Sequence, residues 1–173
     1  MNYATIKKRD IANGPGVRVS LFVSGCTHRC PGCFNEVAWD FSYGEPFTPQ
    51  VEEELLTLME PEFVAGMTLL GGEPFEPANQ RALLPFLRRV KERFPQKTLW
   101  CYSGYTLEEL QGESRARCSA TDEMLALLDV LVDGRFILEK KNIRLRFRGS
   151  ENQRLIDMNK TREAGEIVLW DDK

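Results

Sequence analysis

Three cysteines lie close together in the first fifth of the chain. Cys26, Cys30 and Cys33 are separated by three and then two residues, a spacing that can bring three thiolates to one metal centre. Closed structural zinc and iron–sulfur sites usually have four protein ligands. A site with three cysteines therefore leaves one coordination position open, and a [4Fe–4S] cluster bound here would have one iron free for another group.

Two other interpretations of these cysteines stay open. One is a zinc ion whose fourth ligand is His28 or a distant cysteine, although His28 lies inside the loop between Cys26 and Cys30 and is poorly placed for this. The other is a chance cluster of thiols in a reducing compartment. We expect Cys101, in an apolar segment, to be a buried small hydrophobe, and Cys118, in a polar stretch, to be exposed.

The composition bounds the class of protein. The chain has 173 residues, of which 42% are hydrophobic, so we expect a single domain, 1–173, with a substantial core. The net charge is −3, and without a basic stripe nucleic-acid binding has no electrostatic support. We find no apolar stretch long enough for a membrane span and no signal-peptide core, and the five cysteines do not resemble a secreted disulfide framework. These features predict a cytoplasmic protein without a membrane partner.

Hydrophobic periodicity, helix caps and turn residues predict alternating strands and helices. The clearest predicted strands are 17–24, 66–70, 98–102 and 130–132. The predicted helices are 49–60, capped by Thr48, 79–94, a short one opening with the capping box Thr106 to Glu109, and 121–128, capped by Thr121. Weaker patterns suggest strands at 143–148 and 167–170 and a helical turn at 152–158. This order predicts an α/β fold with a parallel sheet and right-handed crossovers.

Glycine-rich segments follow the four clearest strands. They are Ser24-Gly25-Cys26, Gly71-Gly72-Glu73-Pro74, Ser103-Gly104-Tyr105 and Asp133-Gly134-Arg135. Ligands of parallel α/β sheets bind beyond the carboxyl ends of the strands, so all four segments should face one site. Glycine lets the backbone approach a ligand closely, but turns need glycine too, and it is the nearby cysteines that favour the functional interpretation.

These linked motifs resemble those of the radical S-adenosylmethionine superfamily. The likeness rests on Cys-x3-Cys-x2-Cys followed one strand later by Gly71-Gly72-Glu73-Pro74. Within the superfamily, Asn13–Arg18 is similar to the glycyl-radical-enzyme activases, and closer still to those of the anaerobic ribonucleoside-triphosphate reductase. Further similar segments are 13–35, 102–105, 132–136, 148–150 and 152–153. Many members have an aromatic residue just before the third cysteine, whereas here Gly32 stands there and Phe34 follows Cys33, as in the reductase activases.

The resemblance implies a fold, two cofactors and a set of site residues. The fold would be a partial (β/α) barrel with a parallel sheet and helices outside. A [4Fe–4S] cluster on Cys26, Cys30 and Cys33 would bind S-adenosylmethionine through its amino and carboxylate groups at the open iron. The residues expected at this cofactor are Gly32, Cys33, Phe34, Gly71, Gly72, Glu73 and Ser103. Glu73 would accept the ammonium group, unless it is a helix-start carboxylate facing solvent. No side chain is expected to be catalytic, because the cofactors supply the chemistry.

The resemblance also implies the reaction and the partners. One electron from a donor such as a flavodoxin would split the cofactor into methionine and a 5′-deoxyadenosyl radical, which takes a hydrogen from a glycine of the anaerobic ribonucleoside-triphosphate reductase. The chain lacks strands for an eight-stranded barrel, so we expect an open side for the partner loop, lined by Asn13–Gly16, Tyr105 and Asp133–Phe136. The alternatives are a small radical enzyme that acts on a metabolite and a non-catalytic zinc-binding adaptor.

Overall fold

The predicted alternation of strands and helices is present in the computed structural model, which describes residues 1–171. The strands are β1 (Asn2–Asp10), β2 (Val17–Val23), β3 (Glu45–Pro46), β4 (Val64–Gly71), β5 (Thr98–Tyr102), β6 (Val130–Asp133) and β7 (Arg154–Asp157). The α-helices are α1 (Pro49–Met59), α2 (Pro77–Arg93), α3 (Leu107–Gln111), α4 (Thr121–Leu127) and α5 (Met158–Ala164), with short 3₁₀ helices at Glu36–Trp39 and Leu138–Lys140. Among the described residues, no helix has the length and apolar character that crossing a membrane requires.

The strands form one mixed sheet in the order β3-β1-β2-β4-β5-β6-β7. The four central strands, β2, β4, β5 and β6, are parallel. The expectation of a parallel sheet is wrong for the outer strands, because β1 runs antiparallel to β2 and β3, and β7 runs antiparallel to β6. The cause at β1 is its connection to β2, since a tight turn can join only antiparallel strands, whereas parallel strands need a crossover.

Local signals predicted the helix starts well. The Thr48 side chain accepts a hydrogen bond from Val51 N at 3.3 Å, and Thr106 and Glu109 form the predicted capping box. The predicted cap at Thr121 is wrong, because Ala120 is the N-cap of α4 and Thr121 is its first residue. The Thr121 hydroxyl instead donates to Gln80 Oε1 at 2.6 Å, so a buried contact with α2 replaces the cap.

The weaker patterns in the last third of the chain gave predictions that the structure does not confirm. Residues 143–148 form an irregular loop rather than a strand, and Phe147 has a φ of 62° there. The predicted helical turn at 152–158 is largely β7, because Arg154 binds Asp133 across the β6–β7 pair. Residues 167–170 contribute one isolated bridge, from Leu169 to Ile156.

The two faces of the sheet are covered differently. Val19, Leu21 and Val23 of β2 point toward the helices and join an apolar core with buried residues of α1, α2, α3 and α4. We call the opposite side of the sheet the inner face. Its central row, Ser20, Thr68, Trp100 and Val130, follows the strand register, and Phe147 and Trp170 pack against Trp100 and Val130 there.

Candidate metal and cofactor site

The loop that follows β2 carries the three cysteines to one cavity of about 380 Å³. Of the predicted site residues, Cys26, Cys30, Cys33, Phe34, Gly71, Gly72, Glu73 and Ser103 line this cavity. The Gly32 backbone turns with a φ of 76°, and a Cβ atom there would lie 2.9 Å from a methyl group of Leu138. Gly32 is exposed and is not among the residues that line this cavity, and its left-handed conformation favours glycine.

The ends of the central strands meet at the same cavity, as predicted. The residues that line it are Gly71 at the end of β4 and Gly72 after it, Ser103 and Gly104 after β5, and Gly134 after β6. The cysteine loop sits directly on the β4 exit, because Gly72 N donates to Val23 O at 2.7 Å and Glu73 N to Gly25 O at 2.8 Å. A Cβ atom on Gly72 would lie 2.6 Å from Gly25 O, so this contact requires glycine.

The Glu73 carboxylate is hydrogen-bonded to several segments that build the site. It is 1% exposed, so the alternative of a carboxylate facing solvent is wrong. Its Oε1 atom interacts with His28 Nε2 and Gly104 N, both at 2.7 Å. Its Oε2 atom accepts hydrogen bonds from Phe75 N and the Ser103 hydroxyl, both at 2.9 Å. Because an ionised carboxylate has about four acceptor positions, a cofactor ammonium would have to share or replace one of these donors.

His28 lies in the cysteine loop, but its side chain contacts residues at the strand exits. Its side chain is 3% exposed, and its ring lies edge-on to Tyr105 with centroids 4.4 Å apart. Arg135 Nε donates to His28 Nδ1 at 3.2 Å, so Nε2 carries the proton that it donates to Glu73. With both ring nitrogens engaged, His28 is poorly placed as a fourth metal ligand, as expected from its position in the loop.

A second buried carboxylate, missed by the sequence analysis, holds the same loop. Glu76 is 5% exposed, and its Oε1 accepts hydrogen bonds from Thr27 N at 2.9 Å and Thr27 Oγ1 at 2.6 Å. Asn79 adds a further link, since its Nδ2 donates to Ser24 O and to Glu73 O, both at 3.0 Å. The one available signal was a glutamate just before Pro77 at a helix start, where Ser, Thr, Asp or Asn is usual.

The part of the cavity wall formed by the segment after β6 is fastened by a turn that the resemblance had singled out. Gln153 Nε2 donates to Gly134 O at 2.9 Å, and its Oε1 accepts from Gly149 N at 2.9 Å and Ser150 N at 3.1 Å. Asn152 Nδ2 donates to Arg135 O at 2.8 Å. These contacts hold the segment after β6 against the 148–153 turn.

The side chains of two residues expected at an opening in the barrel, Tyr105 and Asp133, are buried, although Asp133 borders a second cavity of about 620 Å³. Tyr105 is 1% exposed and its hydroxyl accepts a hydrogen bond from Arg115 at 2.9 Å. Asp133 is also 1% exposed and accepts from Arg154 and from Leu107 N at 2.8 Å. Of the other expected residues, Asn13, Gly134 and Phe136 do line the cavity.

Two thiols of the cysteine loop, those of Cys26 and Cys30, lie in surroundings that disfavour their ionised forms. Burial raises the pKa of Cys26 to about 11, opposed by the His28 backbone N–H and reinforced by the charge of Glu73. Burial also raises the pKa of Cys30. Thiolates held here therefore need a positively charged partner, which a metal centre supplies. Within residues 1–171, no three His, Cys, Asp or Glu side chains form a group compact enough for a single metal ion.

The chain is closely similar to proteins of known name. A family model described as a 4Fe-4S single cluster domain matches residues 12–156. The anaerobic ribonucleoside-triphosphate reductase-activating protein of Pasteurella multocida is 44% identical over 155 residues, which are 88% of this chain and 95% of that protein. The proteins of the same name from Escherichia coli K12 (39% identical, 88% and 96% covered) and Enterobacteria phage T4 (39% identical, 90% and 93% covered) are also similar. The chain therefore belongs to the family of anaerobic ribonucleoside-triphosphate reductase-activating proteins.

Proposed function

We propose that this protein activates an anaerobic ribonucleoside-triphosphate reductase by forming a glycyl radical on it. The activity would use a [4Fe–4S] cluster held by Cys26, Cys30 and Cys33, together with S-adenosylmethionine. The observation that carries the proposal is the meeting of three cysteines and three strand ends at one cavity, in a chain of this family. The relatives are named as activators of that reductase.

The residues at the cavity fit both groups. Three thiols leave one iron of such a cluster without a protein ligand, and the cavity of about 380 Å³ lies in the range that holds cofactor-sized ligands. Gly71, with a φ of 106°, and Gly72 expose backbone groups at the wall. When bound, the two groups would supply a one-electron cleavage that yields a carbon-centred radical able to take a hydrogen atom from glycine.

The chain itself binds, orients and shields. We propose that Gly71, Gly72, Ser103 and Glu73 hold the cofactor, with Glu73 accepting its ammonium group in place of, or beside, the His28 proton. Phe34 is 91% exposed at the cavity mouth, so it is available to cover a bound cofactor or a partner loop. Excluding water protects a reactive radical from side reactions.

We also propose the finer architecture and the cellular setting. The seven-stranded sheet with helices on one face supports a single domain, 1–173, built as a partial (β/α) barrel of the radical S-adenosylmethionine type. A second cavity of about 620 Å³ shares His28, Cys30, Gly134 and Phe136 with the first, and we propose it as the entry path of the partner loop. The proposed location is the cytoplasm, with a one-electron donor such as a flavodoxin.

One experiment tests the activity directly. The anaerobically reconstituted protein is mixed with S-adenosylmethionine, dithionite and the reductase of the same organism, and electron spin resonance is recorded. A glycyl radical on the reductase is expected with the wild type and with Cys118→Ala, and not with Cys26→Ala, Cys30→Ala or Cys33→Ala. Turnover of a small molecule without a glycyl radical, or bound zinc without iron, would contradict the proposal.

A further inference from the structure

The first half of the cysteine loop is fastened by two buried carboxylates that follow β4. Glu73 holds His28, and Glu76 holds Thr27, the residue after Cys26. The Glu76 contact is the more specific of the two, because one oxygen receives both the backbone N–H and the hydroxyl of Thr27. It fixes the orientation of the peptide bond between Cys26 and Thr27.

Glu76 binds Thr27 instead of capping the helix at whose start it lies. It is the N-cap residue of α2, but its side chain forms no capping hydrogen bond with the helix. Its backbone is anchored on both sides, since Glu76 N donates to Glu73 O at 3.1 Å and Gln80 N donates to Glu76 O at 2.9 Å. The carboxylate is therefore presented to the cysteine loop from a rigid base.

The charge of Glu76 also acts on the sulfur of Cys26. The Glu76 Oε1 atom accepts a hydrogen bond from Thr27 N at 2.9 Å, so the carboxylate lies beside the residue that carries this sulfur. A negative charge that disfavours a thiolate also disfavours an added electron on a metal centre bound to that thiolate. Low solvent exposure at Glu76 (5%) limits the screening of this interaction.

We propose that Glu76 is a positioning residue of the metal centre with two separable contributions. Its carboxylate oxygen fixes Thr27, and with it Cys26, while its negative charge makes the bound cluster harder to reduce and hence a stronger one-electron reductant. This inference rests on the proposed function, because it concerns an iron–sulfur cluster on Cys26, Cys30 and Cys33.

Glu76→Gln separates the charge from the hydrogen bonds. The amide oxygen of glutamine can accept both Thr27 donors, so iron content and the electron spin resonance g values should equal those of the wild type. Without the negative charge, the ratio of reduced to oxidised cluster at a fixed potential should rise roughly tenfold, a shift of about 59 mV for one electron. Glu92→Gln is the matched control, because it removes the same charge from an exposed position near the other end of α2, and it should leave the potential unchanged.

A second set of variants tests the hydrogen bonds. Glu76→Ala should lose bound iron several-fold after anaerobic gel filtration and alter the g values of the iron that remains. Thr27→Val, which removes only the hydroxyl, should show the same change to a smaller extent, and Thr27→Ser should match the wild type. If Glu76→Ala does not fold, Thr27→Val carries this test alone.

The outcomes distinguish the inference from the function on which it rests. A Glu76→Gln protein with the wild-type potential would overturn the role of the charge, and one that loses iron would overturn the role of the hydrogen bonds. The positioning role would be overturned if Glu76→Ala kept the wild-type iron content and g values. If the alanine variant does not fold, the same result in Thr27→Val would overturn it. A wild-type protein that takes up no [4Fe–4S] cluster would instead defeat the proposed function itself.

Discussion

The two faces of the sheet perform different tasks. The face toward the helices is an apolar core, with side chains such as Leu69, Leu83 and Phe86 at 0% exposure. The inner face has a buried arginine, Arg18, also at 0% exposure. Its guanidinium is bound entirely by neutral groups, among them the hydroxyl of Thr68 at 2.9 Å.

The inner face connects to the site through the 13–16 turn, whereas the core reaches it at the strand exits, where Phe75 and Tyr105 contact Glu73 and His28. Arg18 donates to Pro15 O at 3.3 Å, and the Thr68 hydroxyl that it contacts donates to Asn13 O at 2.7 Å. Asn13 lines the cavity. We conclude that substitutions in the core away from the strand exits should change stability alone, whereas substitutions at the inner face should change stability and cofactor binding together.

The largest expected loss of stability comes from the core. Phe86→Ala should lower the free energy of unfolding by about 4 kcal/mol, because it leaves a cavity in a closely packed region. The affinity of the cluster-loaded protein for S-adenosylmethionine should stay the same. Urea denaturation and equilibrium dialysis measure the two quantities. Phe63→Ala is the control: the ring is 61% exposed, so stability should change by less than about 0.5 kcal/mol.

Arg18→Met should cause the next largest loss of stability. Buried hydroxyl and carbonyl groups lose their donor, and we expect a loss of about 3 kcal/mol, reduced because a costly buried charge is removed as well. Burial lowers the pKa of Arg18 to about 10, which reflects that cost. Unlike the Phe86 variant, this protein should bind S-adenosylmethionine several-fold more weakly, because the 13–16 turn loses its support. Unchanged affinity would remove the distinction between the two faces.

A smaller effect is expected where the inner face is covered. The Trp170 ring lies edge-on to Trp100 with centroids 5.0 Å apart, and Trp170→Ala should cost about 1.5 kcal/mol. Trp170→Phe should recover part of this loss. Thermal unfolding followed by tryptophan fluorescence measures both, and a loss as large as that of Phe86→Ala would show that the inner face is a second core.

The smallest expected effect is a change in how stability depends on acidic pH. Burial tends to raise the pKa of Asp10, but hydrogen bonds from Ser20, Asn13 and Ala12 lower it overall. A carboxyl group with a lowered folded-state pKa stabilises the fold above its unfolded value of about 3.9, and this contribution is lost as the pH falls through the folded value. Between pH 5 and pH 3, the wild type should therefore lose more stability than Asp10→Asn. If both proteins lost the same stability, the Asp10 carboxylate would not contribute to the loss of stability in acid.

Local patterns were sufficient for the elements that build the site. Thr48 and Pro49 predicted the start of α1, and the apolar run 98–102 predicted β5 with its bounds. The glycines after each strand predicted where the chain comes together, because parallel strands end at one edge.

What the sequence analysis missed depends on distant partners. β1 lacks a regular alternation, and its place is set by pairing with β2 and β3. The contact between Glu76 and Thr27 joins residues 49 positions apart, and β7 is extended because it pairs with β6. Such pairings leave no periodic trace in the sequence.

The outermost strand on the β1 side has a consequence for solubility. β3 consists of Glu45 and Pro46 alone, both exposed, and proline has no backbone N–H to offer a neighbouring chain. A short, charged edge with a proline discourages the edge-to-edge pairing that leads to aggregates. Where β3 covers the start of β1, at Asn2 and Tyr3, the sheet therefore offers a poor template for fibre growth.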